Sequence, residues 1–191
     1  MKSIHKLLGG NLIWVFLLAG SVQAAEGWTR YNSQPGIGSK VKIEGTSTMH
    51  DWLVEGSIIG GYLEVGPNFP TDPASAKPGK VDAKVDVFIP VRALKIMNYG
   101  KPYSNAMDDI MYEKLLEPTN KRILYKLTEM TLKEAPKDAA GSFLFDTKGD
   151  LTVAGATQNI SMPVEMKVEG NKLKFSGKIT SKMSDFKIEP P

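Results

Sequence analysis

The chain has 191 residues, 41% of them hydrophobic and 24% charged, and no cysteine. That length fits one domain with enough apolar content for a real core, and the missing cysteines exclude disulfides, thiolate catalysis and a cysteine-borne lipid anchor. No Lys/Arg cluster with interleaved aromatics accompanies the formal net charge of +3, so nucleic acid is not an expected partner.

Lys2 and Lys6 open the chain, the apolar run LIWVFLLAG follows, and Val22-Gln23-Ala24 is a small-x-small site. These features read as a secretory signal peptide over residues 1–24, cleaved after Ala24, with a periplasmic or secreted product. The apolar run is shorter than the roughly 20 residues a membrane-spanning helix needs, so no span is expected in the mature chain. Cleavage lowers Lys+Arg from 24 to 22 against 21 Asp+Glu and leaves a net charge of +1. The basic balance therefore says little about partners.

Residues 25–40 read as a lead-in, with one short strand around Trp28–Tyr31 and a turn at Pro35-Gly36. Val41 and Ile43 alternate with Lys42 and Glu44, the period of a half-buried strand. The polar stretch Gly45-Thr46-Ser47-Thr48 and then His50-Asp51-Trp52 form an elbow before a second run that ends at Val65. Gly60-Gly61 inside that run predicts a bulge or a sharp bend. Residues 66–80 carry four prolines and read as a surface loop, either at a barrel mouth or as a tolerated insertion.

Residues 81–91 alternate cleanly: Val81, Ala83, Val85, Val87, Ile89 and Val91 face one way, and Asp82, Lys84, Asp86 and Phe88 the other. A strand with one wet and one dry face belongs to an antiparallel sheet. Ser104-Asn105 then precede an acidic first turn and the stripe Met107, Ile110, Met111 and Leu115, before Pro118. This predicts one short capped amphipathic helix over Met107–Leu116. Strand patterns resume at 122–132 (Ile123, Tyr125, Leu127), 142–153 (Phe143, Phe145, Thr147), 157–168 (Ile160 to Val168) and 172–183 (Leu173, Phe175, Ile179). Glu169-Gly170-Asn171 marks a hairpin. Six or seven strands, one helix and no βαβ alternation predict an all-β antiparallel barrel or sandwich.

Catalytic constellations are missing from the pattern. His50 is the sole histidine after the leader, and a zinc site needs three or four ligands. Ser47, His50 and Asp51 make a poor relay, because adjacent strand residues point to opposite faces. No nucleophile elbow, phosphate loop or dinucleotide fingerprint occurs. No metal, cofactor or enzymatic activity is expected. His50 reads either as a turn histidine bonding to backbone or as a contact for a ligand head group.

Gly45-Thr46-Ser47-Thr48-Met49-His50-Asp51-Trp52 resembles the first motif of the YceI-like, polyisoprenoid-binding family. Gly149-Asp150-Leu151-Thr152-Val153-Ala154-Gly155-Ala156-Thr157, followed by Ile160 and Met162-Pro163-Val164, is similar to its GxLTxxGxT segment. Met107 to Leu116 and then Arg122-Ile123-Leu124-Tyr125 match its helix-then-strand block, and the order holds from about residue 41 to the end. The resemblance implies a YceI-like barrel domain over 41–191. Its fold would be a lipocalin-like antiparallel β-barrel that holds a long isoprenoid chain, of the quinone or polyprenol type, without catalysis. Two departures stand out. Family members continue for another strand beyond the Met183–Pro191 stretch, and they carry serine after the histidine where this chain has Asp51-Trp52.

An eight-stranded barrel has room for one ligand if its interior is not filled. Parity assigns the interior face to Trp52, Val54, Val85, Val87, Ile89, Phe143, Phe145, Met162, Val164, Met166 and Phe175. The helix stripe of Met107, Ile110, Met111 and Leu115 is expected as a plug or lid over the open end. The eight methionines left after the leader suit either an adaptable lining or a packed core. Pro190-Pro191 cannot continue a ladder. The expectation is therefore a barrel lacking its last strand, with a free edge beside 172–183 that invites association, a homodimer included. The leading function is a carrier or store of an isoprenoid lipid. The rivals are a partner-binding β-protein with a filled core and a lipid-modifying enzyme using His50 and Asp51.

Overall fold

A computed structural model describes residues 9–20, 27–36, 38–46 and 51–189. In chain order the strands are β1 (Gly9–Gly20), β2 (Thr29–Ser33), β3 (Lys40–Thr46), β4 (Asp51–Gly56), β5 (Gly60–Val65), β6 (Gly79–Lys80), β7 (Ala83–Pro90), β8 (Lys95–Asn98) and β9 (Lys101–Pro102). Helix α1 (Asn105–Lys114) follows, then β10 (Arg122–Glu134), β11 (Phe143–Val153), β12 (Ala156–Glu169) and β13 (Lys172–Lys182). All pairings are antiparallel.

Several strands are halves of one broken stave. β2 and β3 run end to end along β1, β5 and β4 lie on them in turn, and β7 and β8 on those. Eight staves then follow one another as a meander, β1, β2/β3, β4/β5, β7/β8, β10, β11, β12 and β13, and β13 pairs back onto β1. The short strand expected in the lead-in is β2, and it belongs to the sheet through β5.

Alternation explains most of the inward faces. Along β11, every second residue from Phe143 to Val153 is buried, and Met162, Val164 and Met166 repeat this on β12. In β10 the parity read from Ile123 and Tyr125 does not continue. A register shift between Leu127 and Glu129 moves the buried face to Met130 and Leu132. One extra residue in a bulge flips every later side chain, and nothing in the local pattern announces it.

Gly60-Gly61 open β5, directly after the break that separates it from β4 at residues 57–59. A side chain on Gly60 would stand 2.3 Å from the Phe88 ring, and one on Gly61, at φ +118, would stand 2.1 Å from the Asp86 carbonyl oxygen. Bare backbone is needed here for β7 to lie close. Gly61→Ala is expected to cost about 2 kcal/mol in urea unfolding, from strain and overlap together. A loss near zero would mean that β5 does not lie so close to β7.

One half of the barrel is packed solid. Phe143, Phe145, Leu132, Met166 and Leu173 are fully or almost fully buried there. The 66–80 loop is more than the surface loop expected from its prolines. Its Phe69 is buried and stacks on Phe145, ring centroids 5.8 Å apart, so the loop seals that end. Apolar burial outweighs the proline-rich composition at this one residue.

The free edge expected beside 172–183 is absent in the full chain. β1 pairs along it from Gly9↔Lys182 to Ala19↔Lys172, and on its other side meets β3 and β2. Without β1, the remaining strands form a curled antiparallel sheet open between β13 and β3. An extended segment laid in that opening satisfies the backbone groups of both edges at once, which is why the gap does not stay open while residues 9–20 are attached. The expected cleavage site at Ala24 lies outside the described residues.

Candidate functional site

The other half of the barrel is hollow. Helix α1 lies over it, and local chemistry explains the helix. Ser104 caps it by accepting from the Met107 N–H at 3.2 Å. Pro118, beyond its end, cannot continue it. The helix is fastened by its polar face. Asp108, 3% exposed, accepts from the Ile96 N–H of β8 at 2.9 Å and from Lys95 Nζ at 2.9 Å. The Tyr112 hydroxyl donates to the Leu94 carbonyl at 2.8 Å. Arg92 reaches Glu117 at 3.0 Å and lies over the Tyr112 ring. The hydrogen bond that Lys95 donates to Asp108 raises the lysine's pKa, and the one Arg92 donates to Glu117 does the same for the guanidinium.

Beneath the helix lies a cavity of about 560 Å³, within the ordinary range for a small-molecule site. Trp52 and Val54 from β4 line it, together with Met107, Ile110 and Met111 from α1 and Leu115 just past its end. The helix stripe is not the buried face of the helix. Asp108 and Tyr112 are buried, whereas Ile110 is 51% exposed, because the stripe looks into an open cavity.

The other residues that parity assigns to the interior sit elsewhere. Val85, Met162, Val164 and Phe175 surround a void of about 30 Å³ deeper in the barrel, and none of them lines the large cavity. Val87, Ile89, Phe143, Phe145 and Met166 are buried in the core. Parity separates inside from outside, but it says nothing of how far along the barrel the inside is filled. His50 lies outside the described residues.

Sequence reasoning missed much of the lining. Ile43, Ile96, Ile123, Leu151 and Val153 contribute from four strands, and Met183, Phe186 and Ile188 from the segment after β13. Leu151 and Val153 lay in plain sight on the face already read from Phe143 and Phe145. The 183–188 segment carried no periodic signal. It is held by a 3-10 turn at Met183–Phe186 and by Gln158, whose amide donates to the Asp185 carbonyl at 2.7 Å.

Trp52 owes its place to a glycine. A side chain on Gly45 would come within 2.0 Å of the indole of Trp52, its partner across the β3–β4 pair. The first motif thus supplies a cavity wall through a glycine and tryptophan pair. Deeper in the barrel, Tyr125 donates to Thr147 Oγ1 at 3.4 Å, and burial raises its pKa. Among the described residues no group of three or more His, Cys, Asp or Glu could hold a metal ion, and no helix is long and apolar enough to cross a membrane.

No curated protein and no solved structure matches the chain. The YceI-like domain matches residues 38–190, most of its length, and begins just before the strand whose glycine seats Trp52. With that match and the antiparallel, helix-covered barrel in hand, the chain belongs to the YceI-like family, a family of binding proteins with lipocalin-like architecture.

Proposed function

We propose that the protein binds one long apolar chain of isoprenoid type in the cavity beneath α1 and carries or stores it outside the cytoplasm. The cavity carries the reading: about 560 Å³ of space walled chiefly by Ile, Val, Leu, Met and Trp side chains, with a helix across it. Burying apolar ligand surface supplies about 25 cal/mol per Å², so a chain that fills such a space needs few polar contacts. The leader-like start of the chain supports an address beyond the cytoplasmic membrane, in the periplasm or secreted.

Protein purified without detergent should yield an isoprenoid lipid on organic extraction, identified by mass spectrometry. The emptied protein should take up a quinone or a polyprenol. Ile43→Trp, which places an indole in the cavity from β3, is expected to weaken uptake by about tenfold or more while leaving cooperative unfolding intact. No lipid in repeated extracts, together with no uptake, would remove the binding reading.

A further inference from the structure

The cavity is not uniformly apolar. Its lining includes Lys114 in the last turn of α1, Lys182 at the end of β13 and Asp51 at the start of β4. Val54 and Leu151, by contrast, line it from positions that are almost fully buried. The gradient runs from hydrocarbon to exposed charge, which matches an amphiphile. Resting on the binding reading above, we infer that the ligand's head is anionic, a carboxylate or a phosphate, and is met by Lys114 and Lys182.

The charge balance carries the sign. Neither lysine has an ion-pair partner among the described residues, whereas the nearby Lys95 is held by Asp108. Asp51 does not neutralise Lys182 directly. With residues 9–20 attached, β1 and β3 lie between their strands, which puts them three strand spacings apart, on the order of 14 Å along the sheet. Asp185 lies nearer, but its carboxylate accepts from the Lys182 N–H at 2.9 Å as part of the 3-10 turn. Lysine also suits the position physically. Its stem lies along apolar wall while the ammonium stays wet, and an anion at the edge of hydrocarbon is drawn to it more strongly than in open water.

Matched pairs test the inference. Oleate and oleyl alcohol share a chain, as do farnesyl phosphate and farnesol, and each can displace the neutral fluorophore N-phenyl-1-naphthylamine from the protein. The anionic member of at least one pair should bind about fivefold tighter or more, the sum of two exposed ion pairs. The pair that shows the preference names the head as carboxylate or phosphate. The preference should shrink as salt is raised. In Lys114→Gln/Lys182→Gln the ratio should fall to about one, with the melting temperature serving as the control for folding. Equal binding within both pairs would overturn the anionic head and leave the binding reading standing. A preference that survives the double substitution would overturn the assignment to these lysines. Displacement by none of the four would bring down the binding reading itself.

Discussion

Met162→Lys is expected to unfold the barrel, not merely to empty it. Met162 is 6% exposed and its backbone carbonyl accepts from Thr147 Oγ1 at 2.8 Å. Its surroundings are Leu63, Val85, Tyr125, Val164 and Phe175, around a void of only about 30 Å³. That leaves room for little more than a water or two, and no carboxylate lines the void to meet an ammonium. An unpaired buried charge costs several kcal/mol, a large part of the 5–15 kcal/mol that holds a typical domain together. Circular dichroism and urea titration should show a chain largely unfolded at room temperature. Met162→Leu, close in volume, should lose less than about 1.5 kcal/mol. A lysine variant that melts near the wild type would mean that this face of β12 does not point inward.

Asp108→Ala is expected to cost about 3 kcal/mol and to loosen the helix over the cavity. The carboxylate is buried and satisfies the Ile96 N–H, so truncation leaves a backbone donor without its partner and removes a charge-assisted bond to Lys95. With one end of α1 freed, bound lipid should dissociate faster, as read by stopped-flow transfer to acceptor vesicles. Asp108→Asn should recover most of the stability, because its amide oxygen still accepts from Ile96. The raised pKa of Lys95 sets the pH dependence. Its pairing is fully present below the lysine's ordinary value and is lost as pH climbs through the raised one, so the helix should stay fastened across neutral pH. Alanine and wild type releasing lipid at the same rate would mean that α1 does not gate the cavity.

Much of this molecule was readable before any coordinates. The alternation at 81–91 became β7 with Val87 and Ile89 buried, and the helix expected over Met107–Leu116 became α1, capped by Ser104 and two residues earlier at each end. The motifs around Gly45 and Gly149 identified the family that the domain match then showed. These signals are local, set by a period of two, a cap or a turn, and so they survive in a string of letters. The bulge in β10 was not readable, since a bulge is decided by the partner strand.

The cavity divides the two kinds of information most sharply. Residue types alone determined that this chain builds an antiparallel barrel with one helix and an apolar inside. Whether that inside is filled depends on which inward side chains meet at each level of the barrel, and that is a question of register between strands far apart in sequence. Phe69 from a proline-rich loop fills one half against Phe145, while at the other half the inward residues stop short of one another and α1 lies across the gap. The same holds for the closing strand. The run at residues 9–20 reads by composition as a leader, yet in the full chain its backbone pairs with β13 and β3, because unpaired strand edges take whatever extended segment is tethered within reach.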